Sequence, residues 1–372
     1  MKTCITNCTI HTGDDILVDK NILVENGIII AVNNERPDDA ALHNLGGMHI
    51  SPGFVDIHIN GGEQYFFTQS PTAEALLDIC NSSLQYGVTH LLPCLISSDH
   101  QTILKAIETT RAFMQQHKTV LGLHIEGPFI NPEKRGAHVK AFIHKPTNNE
   151  LEEIILHGKD VVKLMTIAPE CFTDDQITML QRAGIVLSAG HSAITCKQAH
   201  YYFSKGITLV THLYNAMTQF GHREPGLVGA TFQNENVFAP IILDGQHCDY
   251  LAAQVAYKMK GDHLFLISDA AFLGRKVTEF SWGEFNMKLT PDGYYRNSDG
   301  NLACASISMA EAVRNARQQL PVSTAEAIKM ATSIPAKAIR MQDKIGFIKP
   351  GYPASFACFD ETLETIRPLV FG

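Results

Sequence analysis

Apolar positions change their spacing once along the chain. Up to about residue 50, short apolar runs (TCITNCTI, ILVDKNILV, NGIIIAVNN) are broken by turn residues, and Asn26-Gly27 is a two-residue hairpin signal. From about residue 51, apolar runs of strand length alternate with stretches of helical spacing, the pattern of repeated βα units around a parallel sheet. Eight runs qualify as strands: FVDIHIN, THLLPCL, VLGLHIEG, VKLMTIAP, IVLSAGH, ITLVTHL, FAPIILDG and HLFLISDA. Eight predicts an α/β closed barrel over residues 51–344. Helices are expected at AEALLDICNSSLQ, QTILKAIETTRAFMQQH, NELEEIILHG, DDQITMLQRAG and YLAAQVAYKMKG. Capping boxes open two helices, at Thr173 with Gln176 and at Ser323 with Glu326. After residue 345, GFIKPGYPASFACFD and ETIRPLVFG return to β character, so residues 1–50 and 345–372 are expected to combine into one small β domain.

Composition narrows the function classes. The 372 residues are 45% hydrophobic and 18% charged with no low-complexity run, as in a globular protein. A net charge of −8 and the lack of a basic stretch argue against nucleic acid as a partner and leave a small metabolite. Nine dispersed cysteines without a CxxC read as reduced, mostly buried thiols. MKTCITNCTIHTGDD lacks the features of a signal peptide, and no run of about 18 apolar residues is present to span a bilayer. The expected location is cytoplasmic, with no membrane partner.

Several strands end on residues that bind metals or move protons: His124-Ile-Glu126, Ser188 to His191, Thr211-His212 and Ser268-Asp269. In a barrel of this kind all strand C-termini open onto one face. Glu126, His191 and His212 are a carboxylate and two imidazoles, a set that suits a catalytic Zn²⁺ with one position left for water. Binding there would lower the water's pKa from about 15.7 toward about 7. Asp269 is placed to take the water proton and return it to a leaving group. Singly, each residue has an ordinary alternative: a hydrogen-bonded structural histidine, or a carboxylate capping a turn or helix. Their common position at the ends of successive strands favours the metal site.

HIEGPF (124–129), SAGHS (188–192), THLYNAM (211–217), GHREPGLVGA (221–230), DGQHCD (244–249) and SDAA (268–271) occur in an order and spacing similar to the N-acetylglucosamine-6-phosphate deacetylase family of the amidohydrolase superfamily. The resemblance runs from PGFVD at 52–56 to about residue 359. It implies a distorted, TIM-like (β/α)8 barrel with a small β-sandwich built from both termini, assembled as a homodimer. The implied reaction is hydrolysis of the N-acetyl group of an amino-sugar phosphate, using one divalent metal ion per subunit, zinc first, with iron or cobalt also compatible with the donors.

By the same resemblance Glu126, His191 and His212 are the metal ligands, and Asp269 is general base and then acid. Ala137, His138, Asn215, Ala216 and His247 hold the substrate, as does the loop Leu302, Ala303 and Cys304. Arg223 binds the sugar phosphate in the neighbouring subunit's site, a role that suits its planar fork of donors. His138, facing the acetyl group, would polarise the amide oxygen.

VDIHINGG (55–62) departs from the His-x-His that holds a second metal in many superfamily members, because Asn60 replaces the second histidine. An amide oxygen is a weaker zinc ligand than imidazole. One tightly held metal is therefore expected, with His58 and Asn60 shaping the pocket or bonding water and substrate. A loosely held second ion beside His58 and Glu126 is the alternative. AAFLGRK after Asp269, and Cys304 where the family usually has glycine, also depart from the pattern near the expected sugar site. Rival readings are another amide hydrolase, a deaminase, or a non-catalytic scaffold or sensor. Cyclic-amide hydrolases bridge two metals with a lysine at the end of the fourth strand, whereas Lys163 lies near that strand's beginning. Deaminases usually rely on the missing His-x-His, and a scaffold would have no need of the base and all three ligands.

Overall fold

The computed structural model of the chain describes residues 2–298, 300 and 302–371. All eight expected parallel strands form: Phe54–Ile59, Val88–Ile96, Leu123–Glu126, Val162–Ile167, Val186–Ala189, Leu209–Val210, Ala239–Ile241 and Leu264–Leu266. The first six make one parallel sheet in chain order, and the last two pair separately. Backbone hydrogen bonds span the gaps. Val210 donates to Phe238 at 3.1 Å and Leu213 to Pro240 at 2.8 Å, while Asp269 donates to His58 and Asn60 to Ala270, each at 2.9 Å. The described strands thus form a curled parallel array rather than one unbroken ring of paired strands.

Burial on both faces explains why these strands read as continuous apolar runs rather than alternating ones. Val88–Ile96 is buried at every position. The five expected helices appear as Ala73–Leu84, His100–Met114, Asn148–Gly158, Asp174–Arg182 and Tyr250–Lys260. Both expected capping boxes are present, at Thr173 and at Ser323 before Thr324–Ala331.

Four further helices escaped the sequence reading: Cys196–Ser204, Gly226–Gln233, Met309–Gln319 and Ser333–Ala338. Gly226–Gln233 is buried everywhere except its last residue, so it has no polar face to reveal a helical period. Also unforeseen is an antiparallel sheet after the eighth strand, formed by Glu279–Trp282, Phe285–Leu289 and Tyr295–Arg296. It packs Phe285, Met287 and Tyr295 against Phe66 and Phe272.

The chain ends form two sheets over a shared core. One orders Ile28–Asn33, Asn21–Glu25, Lys2–Thr6 and Ala41–Asn44; the other orders Ile366–Val370, Ser355–Phe359, His49–Pro52, Thr9–His11 and Ile16–Leu17. Ile5, Ile10, Ile22, Val24, Ile50 and Phe356 fill the space where they meet. Asn26 and Gly27 have φ of 49° and 75°, the left-handed pair that a two-residue hairpin needs. The run TCITNCTI is two strands: Asn7 turns the chain with φ of 54°, sending Lys2–Thr6 to the first sheet and Thr9–His11 to the second. His49–Pro52 pairs with Ser355–Phe359 and passes through the expected boundary at residue 50. Cysteines are free throughout, and no helix among the described residues is long and apolar enough to cross a membrane.

Candidate active site

Glu126 is the last residue of the third strand; His191, His212 and Asp269 lie just past the fifth, sixth and eighth. There the backbone turns left-handed, with φ of 48° at His191, 32° at His212 and 47° at Asp269. Side chains with a Cβ disfavour this region by about 1–3 kcal/mol each, a strain that gathers at functional sites.

The turns aim three donor atoms at one point. Glu126 Oε1 is 3.1 Å from His191 Nε2 and 3.1 Å from His212 Nε2, and the two Nε2 atoms are 3.1 Å apart. His191 Nδ1 lies 2.8 Å from the Lys134 carbonyl, and His212 Nδ1 lies 3.2 Å from that of Asn215. A carbonyl oxygen only accepts, so each ring carries its proton on Nδ1 and presents a lone pair at Nε2. Three electron-rich atoms thus face one another in a buried site, an arrangement that a cation between them would stabilise. The spacing lets a zinc-sized ion lie about 2.0–2.1 Å from all three. Carbonyl partners that fix the tautomer of ligating histidines are the usual support of such sites.

His58 and Asn60 sit beside this triangle. His58 Nε2 is 3.1 Å from Glu126 Oε2 and 3.2 Å from Asp269 Oδ1. Burial disfavours its charge, but the two carboxylates outweigh burial and raise its pKa to about 9. Burial likewise resists ionisation of Glu126, yet His58 beside it holds that carboxyl well below the ordinary range. Asn60 Nδ2 donates to Asp269 Oδ1 at 2.7 Å. His58, Cys94 and His124 form a second ligand-competent group. Cys94 Sγ lies 3.6 Å from Glu126 Oε2, and His124 Nε2 lies 2.8 Å from Thr166 Oγ1.

Ser97 donates to His138 Nδ1 from its hydroxyl at 2.7 Å and from its backbone N–H at 3.3 Å. The imidazole proton is left on Nε2, 3.8 Å from Glu126 Oε2. Burial, followed by the nearby His191, lowers the His138 pKa to about 3, so the ring is a neutral donor.

A cavity of about 180 Å³ collects Asn60, Glu126, Ala137, His138, His191, His212, Asn215, Ala216, His247, Asp269, Leu302 and Cys304. His247 Nδ1 lies 2.6 Å from Asp244 Oδ2. Burial opposes its charge, but this carboxylate raises its pKa. Ala303 faces an adjoining cavity of about 290 Å³ that shares Ala137, His138 and Leu302. Arg223 is exposed and does not line the catalytic cavity of its own chain. Ser97, Ile96 and Ile242 were missed by the sequence reading. Asking which residues follow each strand, rather than which of those are histidines or acids, would have found Ser97.

Residues 49–372 match the model of the amidohydrolase family. The chain belongs to that family. This amidohydrolase is 33% identical over 378 aligned residues to the N-acetylglucosamine-6-phosphate deacetylase of Haemophilus influenzae, covering 100% of this chain and 99% of that protein. It is also 33% identical to the N-acetylgalactosamine-6-phosphate deacetylase of Shewanella sp., with 98% and 91% covered. Among solved structures it is similar to the N-acetylglucosamine-6-phosphate deacetylase of Pasteurella multocida, with a TM-score of 0.94, 30% identity, and 100% and 98% of the two chains covered.

Proposed function

We propose that this amidohydrolase removes the acetyl group of N-acetylglucosamine 6-phosphate, giving glucosamine 6-phosphate and acetate. The observation that carries the reading is the meeting of Glu126 Oε1, His191 Nε2 and His212 Nε2 at 3.1 Å beside Asp269 and a neutral His138. Full-length relatedness to a deacetylase supports the substrate class.

Glu126, His191 and His212 would hold one divalent ion, zinc by the match of donors, with iron or cobalt also suited to this set. When bound, such an ion lowers the pKa of water and polarises a carbonyl. Asp269 takes the proton of the attacking water and then delivers it to the departing nitrogen. His138 Nε2–H donates to the amide oxygen as negative charge develops on it. Ala137, Asn215, Ala216, His247, Leu302, Ala303 and Cys304 surround the sugar. Arg223 is exposed and does not line its own cavity, which fits a role in binding phosphate in the neighbouring subunit of a homodimer. The curled array of eight parallel strands fits a closed (β/α)8 barrel over residues 51–344, and the two terminal sheets fit a β-sandwich of 1–50 and 345–372. A cytoplasmic site of action follows from a phosphorylated metabolite as substrate.

Relatedness to the Shewanella protein favours a second reading, N-acetylgalactosamine 6-phosphate as substrate. Acetate release from both sugar phosphates, with and without a chelator, tests the proposal. Faster, chelator-sensitive release from the glucosamine compound is expected. Release from neither, or ammonia in place of acetate, would overturn it.

A further inference from the structure

Asn60 is 1% exposed, and its backbone is fully engaged: N donates to Ala270 O at 2.9 Å and O accepts from Phe67 N at 2.8 Å. Its side-chain Nδ2 donates to Asp269 Oδ1 at 2.7 Å. Turning the amide over would set Oδ1, an acceptor, against the carboxylate oxygen in place of the donor Nδ2. Asn60 Oδ1 is buried without a hydrogen-bond partner, and Asn60 lines the catalytic cavity. A buried acceptor left unpaired is costly, and the cavity it lines is where the substrate enters.

Accepting the deacetylase reading, the group that needs such an acceptor is the N–H of the scissile amide. Nitrogen takes a proton only through its lone pair, so that lone pair must face Asp269. Fixing the N–H on a neighbouring acceptor is a direct way to orient it. We propose that Asn60 binds the substrate N–H through Oδ1 while its Nδ2 holds Asp269, placing the nitrogen lone pair before the acid. As the carbon–nitrogen bond breaks, its electron pair stays on nitrogen and the proton earlier taken from water passes from Asp269 to that nitrogen. The carbon–oxygen bond formed by water leaves with acetate. His-x-His members of the superfamily have an imidazole at this position, and this chain uses it to hold both partners of the proton transfer.

The test pairs two substrates with three proteins: the N-acetyl sugar phosphate and its ester analogue with oxygen in place of the amide nitrogen, on wild type, Asn60→Ala and Asp269→Glu, with kcat/KM measured for each. An amine needs the proton from Asp269 more than an alkoxide does, so the losses are referred to Asp269→Glu, which disturbs the acid and leaves Asn60 in place. A role limited to steadying Asp269 gives Asn60→Ala the same ratio of amide loss to ester loss as Asp269→Glu. Loss of the N–H contact raises that ratio about tenfold further, because the ester has no N–H to lose. Losses in equal proportion in the two variants overturn the proposal. Asn60→Leu, which keeps the side chain's shape without its acceptor, serves if the alanine variant fails to fold, with the same two outcomes. If wild type releases acetate from neither compound, the deacetylase reading itself fails, which is a different result from losses in equal proportion.

Discussion

Ser97 holds His138 by two donors, hydroxyl and backbone N–H, at 2.7 and 3.3 Å from Nδ1. That contact decides which ring nitrogen carries the proton toward the cavity. Ser97→Ala removes one of the two bonds and should slow turnover by about three- to tenfold. His138→Ala removes the donor itself and should cost about 10²–10³ in kcat. Steady-state acetate release reads both, and equal effects would mean that Ser97 does more than orient the ring.

Asp269→Asn should leave bound metal in place and lower turnover by about 10²–10⁴, the usual contribution of a positioned acid and base. Elemental analysis and turnover on one preparation check both halves. Near-normal turnover would remove Asp269 from its role.

One metal equivalent per chain should survive mild dialysis, since Asn60 offers no second imidazole. Chelation should abolish activity and lower thermal stability, by about 2.7 kcal/mol if free metal had stood at a hundred times Kd. Calorimetry with elemental analysis decides the point, and two retained equivalents would refute the single-metal assignment.

The Asp244–His247 pair predicts a bounded pH effect. Burial resists the Asp244 charge, but hydrogen bonds from His247 and the backbone lower its pKa, and Asp244 in turn raises that of His247. For Asp244 the stabilisation is present above its unfolded value and is lost as pH falls through the folded one. For His247 it is full below its unfolded value and is lost as pH rises through the folded one. The stability lost in Asp244→Asn should therefore be largest between these ranges and shrink toward both acid and alkaline pH. Denaturant titrations at several pH values test this, and a flat difference would contradict it.

Gly127→Ala should disrupt the site through Ser97. Gly127 has φ of 79°, and a Cβ there would lie 2.3 Å from Ser97 Oγ, the atom that steadies His138. The strained backbone alone costs about 1–3 kcal/mol. Stability and turnover should fall together, and an unchanged turnover would show that Ser97 can move without consequence.

By itself the sequence determined the eight parallel strands, six of the helices and the three donors proposed as ligands. Buried parallel strands are uninterrupted apolar runs, and Glu126, His191 and His212 sit at the ends of three of them, so both signals are local. The helix Gly226–Gln233 and the sheet beginning at Glu279 escaped because burial on every side, or short strands in a polar insert, leave no period to read. Only the tertiary structure decided what Asn60 holds. Read along the chain it is a missing ligand, but 209 residues separate it from Asp269, and the hydrogen bond between them exists because the array curls until its last strand meets its first. The left-handed turns at His191, His212 and Asp269 were equally invisible, since residues with a Cβ avoid that conformation unless the surrounding packing imposes it.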